Sequence, residues 1–273
     1  MIRVDSRIAD AYIRGEDAGH FRDQWFYSSS SLDMDEGKNI FTLPKGDDDE
    51  RRDVRKLRKL FSSALSSFTP VNRPLWDTLF PSWEEKDLSV DLIVGFPEPY
   101  DAVNTLSPDG TTHIVFDLVC WRKYLSFPGI EKNIRNVLTH EFTHCLISYY
   151  NPRADEALRS SSYIEKLDAY TFNEGFAHLI SYRSCSIDKV DWHSKELEDV
   201  YASSKKRMRE ALAETERDKQ KKLLYDSICG NYYEKFACMC GMLYLARVWE
   251  KEGIGGLRGE FTSFCGFAEK TIT

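Results

Sequence analysis

Two histidines and a glutamate stand within five consecutive residues near the middle of this sequence. The segment His140-Glu141-Phe142-Thr143-His144 reads HEFTH and matches the zinc pattern H-E-x-x-H. In a helix, residues i and i+4 lie on the same face, so the two imidazoles can bind one metal ion. Glu141 then lies beside them, where its carboxylate can act as a general base on a metal-activated water. The segment therefore predicts a catalytic zinc site.

The pattern lies within an apolar segment that predicts a helix from about residue 130 to residue 149. Ile130, Ile134, Val137 and Leu138 recur at helical spacing and supply the face that packs on the core. We therefore expect the two histidines on a helix that is anchored in the interior of the protein.

A catalytic zinc site needs a third protein ligand besides the two histidines. The extended metzincin pattern requires a glycine and a third histidine shortly after HEFTH, and residues 145–150 supply neither. Glu174 lies on the next strongly predicted helix, in the apolar neighbourhood NEGFAHLI. A carboxylate is costly to bury there unless a cation pairs with it, so we expect Glu174 to be the third ligand. The alternative ligands are Asp168, Asp155 and Glu156.

Three short segments between about residues 110 and 250 resemble the gluzincins, the thermolysin-like superfamily of zinc metallopeptidases. After HEFTH, the segment Asn173-Glu174-Gly175-Phe176-Ala177 resembles the helix whose glutamate completes the metal site in that superfamily. The segment YYEKFA that begins at Tyr232 is similar to the Y-E-K-G-A segment of its aminopeptidases, with phenylalanine in place of glycine.

This resemblance implies roles for individual residues. It implies that His140, His144 and Glu174 bind Zn²⁺. It also implies that Tyr233 donates a hydrogen bond to the oxyanion of the tetrahedral intermediate, with Tyr232 as the rival donor.

The chain also departs from the superfamily at two points. No G-x-M-E-N segment precedes HEFTH, and in the aminopeptidases this segment binds the free amino terminus of the substrate. His178 follows Glu174 by one helical turn, where thermolysin-like proteins often have an acid. We expect His178 to bind a metal ligand by a hydrogen bond or to contact the substrate carbonyl, and a core histidine is the alternative.

These residues together predict a zinc-dependent peptidase that hydrolyses peptide bonds in a peptide or protein substrate. Glu141 is expected to be the base, with Tyr233 and His178 as further catalytic residues. Two alternatives share the same metal ligands: a zinc hydrolase of a non-peptide amide, and a non-catalytic zinc protein with a partner-binding surface. Because a structural zinc site needs ligands but no base, Glu141 favours catalysis.

Composition places the chain among ordinary globular proteins. Of its 273 residues, 42% are hydrophobic and 30% are charged, and the formal charge of −7 is unfavourable for general nucleic-acid binding. No window approaches about 18 uninterrupted apolar residues, and residues 1–17 lack the apolar core of a secretory signal. We expect a cytoplasmic protein that binds neither membranes nor nucleic acids.

The seven cysteines of the chain contain no C-x-x-C pair. We expect them to be small buried residues.

The order of the predicted elements indicates an α+β fold with a small N-terminal sheet. We expect a single domain over residues 1–273, with an α+β lobe up to about residue 150 and a helical lobe from about residue 151. Loops and a turn are expected between the two main strands. The predicted elements are a strand, a helix and a loop in residues 1–45, a helix at 46–69, strands at 88–95 and 113–119, and helices at 130–149, 163–183, 194–224 and 232–252.

The strand before the HEFTH helix is a candidate for substrate binding. Ile114, Phe116 and Leu118 alternate along it. We expect it to be the edge strand on which a peptide substrate pairs through main-chain hydrogen bonds.

Overall fold

The computed structural model describes residues 1–29, 38–98 and 100–273. They form an α+β fold, in which a mixed four-stranded sheet near the N-terminus is followed by a mostly helical region. The predicted fold class is therefore confirmed. The part of the N-terminal loop that surrounds Gly37 lies outside the described residues.

The chain divides into two compact units. The first contains residues 1–69 and 84–142, and the second contains residues 70–83 and 143–273. The expectation of a single domain stays a prediction.

The sheet belongs to the first unit, and its strand order is β1-β2-β4-β3. β1 and β4 each pair parallel with β2, whereas β3 pairs antiparallel with β4 through a hairpin. The strands are β1 (Ile2–Asp5), β2 (Leu88–Ile93), β3 (Ala102–Leu106) and β4 (Thr112–Asp117).

Two sequence-based expectations about the sheet are wrong. β3 lies where only loops and a turn were predicted, because Asn104 and Thr105 give this short strand little of the apolar alternation that identifies strands. β4, the strand of Ile114 and Phe116, lies between β2 and β3 and is not an edge strand. Its residues from Ile114 onward are buried, as expected for an internal strand.

Ten α-helices are present in the described part of the chain. They are α1 (Arg7–Ile13), α2 (Asp48–Ser66), α3 (Arg73–Leu79), α4 (Ile130–Tyr150), α5 (Pro152–Leu158), α6 (Tyr163–Ser181), α7 (Lys195–Ala213), α8 (Arg217–Ile228), α9 (Phe236–Glu260) and α10 (Phe267–Lys270). Among these described helices, none combines the length and the apolar character that a membrane crossing requires.

The first unit packs α2 against the sheet. The helix begins at its N-cap Asp47, whose carboxylate accepts a hydrogen bond from the backbone N–H of Glu50 at 2.8 Å. Farther along the helix, the ring of Phe61 contacts the ring of Phe116 on β4, with 4.9 Å between the centroids. The predicted acidic start of this helix and its end before Pro70 are confirmed.

In the second unit, the predicted helix over residues 194–224 is instead two helices, α7 and α8. The break occurs at Glu214, whose carboxylate accepts hydrogen bonds from the backbone N–H groups of Thr215 and Glu216, both at 2.8 Å. Such local bonds offer the backbone an alternative to the helix.

The sequence also predicted that the last long helix ends at Gly253. Gly253 is instead a break within α9, where φ is +65°, and helical structure resumes after it to Glu260.

The cysteines are only partly as expected. Cys120, Cys145, Cys238 and Cys240 are buried, whereas Cys185 and Cys265 are exposed. The expectation of burial is therefore wrong for the two exposed residues, because both lie in segments between helices rather than on a core face.

α6 and α9 approach each other closely at two glycines. A Cβ atom built on Gly241 would lie 2.2 Å from the carbonyl oxygen of Thr171, and one on Gly175 would lie 2.8 Å from backbone atoms of Gly241. No side chain fits between the two backbones here. The glycine beside Glu174 therefore sets the position of α6 in the second unit.

We predict that Gly241→Ala lowers the free energy of unfolding by at least about 2 kcal/mol, because the added methyl group collides with a backbone carbonyl. Gly259→Ala, in the same helix, is the matched control. Nothing lies within 4 Å of its added Cβ, and this change should stabilise by about 0.5 kcal/mol. Urea unfolding of both variants measures the difference, and equal stabilities would contradict the close packing of α6 on α9.

Candidate metal centre

Three side chains with metal-ligating atoms converge at α4 and α6. Ring nitrogens of His140 and His178 and a carboxylate oxygen of Glu174 all lie within 4.8 Å of one another. His178 is buried, and the other two residues are half-buried. This His-Glu-His group could hold a metal ion.

The carboxylate of Glu174 lies between two imidazoles. Its Oε1 is 3.6 Å from Nε2 of His144, and its Oε2 is 3.4 Å from Nε2 of His178. A tetrahedral zinc ion with bonds of about 2.1 Å holds neighbouring ligand atoms about 3.4 Å apart. Each measured distance is close to that spacing, but the two involve different carboxylate oxygens, and the ligand group within 4.8 Å contains His178 with His140 and Glu174 rather than His144. Imidazole and carboxylate donors are ligands that suit zinc.

His144 is oriented by the residue that precedes Glu174. Its Nδ1 donates a hydrogen bond to Oδ1 of Asn173 at 2.5 Å, and Asn173 is buried. Because an amide oxygen only accepts, this contact assigns the proton to Nδ1 and leaves the lone pair on Nε2, the nitrogen that faces Glu174. Metal-binding histidines are commonly held in this way.

His178 is buried against Tyr232. Its Nδ1 lies 3.3 Å from the Tyr232 hydroxyl, and the two rings meet edge to face with 5.1 Å between centroids. Burial lowers the pKa of His178, although the negative charge of Glu174 opposes this shift. The neutral imidazole that results is the form that binds metal ions.

Cys238 on α9 contacts the same carboxylate. Its Sγ lies 3.7 Å from Oε2 of Glu174. Burial raises the pKa of Cys238 well above its ordinary value, and the charge of Glu174 adds to the shift. The thiol therefore stays protonated and donates to the carboxylate.

Glu141 has a partner that the sequence did not reveal. Nδ2 of Asn104 donates to Oε2 of Glu141 and lies 3.4 Å from the Glu141 backbone carbonyl oxygen. Asn104 belongs to the edge strand β3, and an isolated asparagine in an expected loop carries no recognisable motif. Its amide orients the Glu141 carboxylate through this hydrogen bond.

Tyr233, the candidate oxyanion donor, lies in a polar surface cluster. Its hydroxyl accepts a hydrogen bond from the Arg183 guanidinium at 2.6 Å and lies 3.0 Å from the Tyr182 hydroxyl. Arg183 also pairs with Glu196 at 2.7 Å. The hydroxyl that contacts His178 belongs to the neighbouring Tyr232, and the catalytic role of Tyr233 stays a prediction.

The alternative ligands considered from the sequence have other surroundings. Asp168 is buried, and its carboxylate accepts hydrogen bonds from the backbone N–H groups of Gly266 and Ala268 at 2.7 and 2.9 Å. Burial raises the pKa of this carboxyl, and the two hydrogen bonds oppose the shift. Asp168 therefore stabilises the segment at α10. The carboxylate of Asp155 accepts a hydrogen bond from the Ser148 hydroxyl at 2.9 Å.

Neither a family model, nor a curated protein, nor a solved structure matches this chain. The geometry of the chain's own residues is therefore the basis for assigning a function.

We predict that Glu174→Ala weakens zinc binding by at least about tenfold, because the change removes the carboxylate that faces both imidazoles. Asp168→Ala is the matched control. It should lower the melting temperature, since the buried N–H of Ala268 and the N–H of Gly266 lose their acceptor, and leave zinc affinity unchanged. Competition with a chromophoric chelator measures affinity, and the reverse pattern would identify Asp168 as the ligand.

Proposed function

We propose that this protein is a zinc-dependent peptidase of the gluzincin type. The observation that carries the proposal is the position of Glu174, whose carboxylate faces His144 and belongs to one ligand group with His140. HEFTH supplies the two histidines and the base, and NEGFA supplies the third ligand and the asparagine that orients His144. A bound zinc ion would supply Lewis acidity and would lower the pKa of a water molecule.

His140, His144 and Glu174 are the residues that we assign to the metal. The two histidines stand one turn apart on the unbroken helix α4. The distance between His144 and Glu174 supports their binding to one ion. Asn173 keeps Nε2 of His144 available for that bond.

Glu141 is the residue that we assign to proton transfer. It stands directly after His140 on α4, and Asn104 binds one of its carboxylate oxygens. In this role the carboxylate takes a proton from the attacking water and gives it to the leaving amine. The amide of Asn104 limits the rotation of the carboxylate and so positions it to accept the proton.

A peptide is the substrate class that we favour. Asn104, the partner of Glu141, belongs to β3, which is the edge strand next to β4 in the described sheet. An extended peptide is recognised by strands at sheet edges, through main-chain hydrogen bonds. The resemblance of the three sequence segments to the gluzincins supports the same substrate class.

A second function is favoured by one observation. His178 belongs to one ligand group with His140 and Glu174, and His144 faces the same carboxylate at 3.6 Å, so the chain offers four candidate ligands. Four protein ligands are typical of structural zinc sites. The alternative is therefore a non-catalytic zinc protein whose metal stabilises a partner-binding surface.

We predict that Glu141→Gln reduces peptide hydrolysis by about 10²–10⁴-fold and leaves zinc content unchanged, because the amide cannot accept the proton while the ligands stay intact. Glu131→Gln, an exposed position in the first turn of α4, is the matched control and should retain full activity. A library of internally quenched peptides measures the rates. Activity that survives in Glu141→Gln would contradict the assignment of the base, and absence of hydrolysis in the wild-type protein would favour the structural alternative.

A further inference from the structure

His178 stands in a position that the three-ligand site does not require. It follows Glu174 by one turn on α6, as His144 follows His140 on α4. Each helix therefore presents two metal-ligating side chains at i and i+4, which share one face. Two imidazoles come from α4, and one carboxylate and one imidazole come from α6.

His178 and Glu174 form only a long hydrogen-bond contact. Nε2 of His178 lies 3.4 Å from Oε2 of Glu174, whereas a charge-assisted N–H···O bond spans about 2.7–2.9 Å. The separation equals the spacing of about 3.4 Å between neighbouring ligands of a tetrahedral zinc ion. On the other side of the carboxylate, the distance to His144 is slightly longer, at 3.6 Å. Each of these two imidazoles thus faces one oxygen of the same carboxylate, and His178 is the one that lies within 4.8 Å of both His140 and Glu174.

The ring of His178 is also held in the orientation that a ligand requires. His178 is only 6% exposed, and its Nδ1 faces the hydroxyl of Tyr232. With Nδ1 engaged in this contact, Nε2 is the nitrogen directed at Glu174. Tyr232 thus serves His178 as Asn173 serves His144, by fixing the ring from its other nitrogen.

From these contacts we infer that His178 is a fourth metal ligand, so that the resting site binds its metal through three imidazoles and one carboxylate. The inference rests on the metal centre of the proposed function and adds a form of regulation. In a three-ligand catalytic site the fourth position is open to water. His178 would hold that position in the resting site, so its imidazole would have to move away before a substrate could be hydrolysed.

Nuclear magnetic resonance of the full chain, labelled with ¹⁵N at its histidine rings, tests this inference without an activity assay. The chain has only six histidines, so each ring gives a resolvable set of signals. On addition of zinc to the apoprotein, we expect three rings to take the metal-bound Nε2 signature, those of residues 140, 144 and 178. The rings of the remaining three, His20, His113 and His193, should keep their metal-free signatures.

Two variants assign the third signal. His178→Asn keeps a polar atom near the position of Nδ1 and removes Nε2, so that the metal-bound signals should fall from three to two and zinc affinity should drop at least about tenfold. His193→Asn is the control, because His193 is exposed and pairs with Glu198 and Glu250. That change should leave three metal-bound signals.

Two metal-bound rings in the wild-type protein would overturn the inference, whether or not His178→Asn folds. If Glu141-dependent hydrolysis is then observed, the proposed function stands without the fourth ligand. Three metal-bound rings in a protein with no such hydrolysis would instead support the fourth ligand and overturn the proposed peptidase. An absence of metal-bound rings would overturn both.

Discussion

The carboxylate of Glu174 is the group on which the candidate centre depends. It lies on α6, a helix whose other residues from Leu167 to Ser181 are almost all buried, and a charge in such surroundings must be compensated. The chain compensates it with imidazole nitrogens of His144 and His178 and with the thiol of Cys238. The thiol of Cys238 supplies no charge of its own. A bound cation would supply a positive charge, which is why the arrangement favours a metal ion over an internal hydrogen-bond network.

The surrounding structure keeps that carboxylate in place. Gly175 lets α6 touch the backbone of α9 at Gly241, so the helix that carries Glu174 has little freedom to shift in the second unit. Asn173 and Tyr232 contact the nitrogens of His144 and His178 that face away from Glu174. The imidazoles are thereby oriented before any metal binds. Such preorganisation reduces the entropic cost of metal binding and fixes the positions of the ligand atoms.

Local patterns in the sequence predict part of this site and part of the fold. HEFTH and NEGFA predict helices α4 and α6, and they predict that His140 and Glu174 bind the same metal ion. The structure places these two residues in one ligand group. The prediction was possible because i and i+4 spacing and an isolated buried acid are local signals. Asn104 could not be predicted as the partner of Glu141, since their contact depends on where a short polar strand pairs. The same limit explains why β4 was expected at the sheet edge. Whether Tyr232 or Tyr233 meets His178 depends on the turn before α9, and no periodicity in the sequence indicates it.

The most direct test of a metal centre is the zinc content of the purified full chain, measured by inductively coupled plasma mass spectrometry before and after reconstitution. The account predicts about one zinc per chain, bound tightly enough to survive gel filtration. A chain that carries no zinc in its native form, and that binds none after reconstitution, would contradict the central claim.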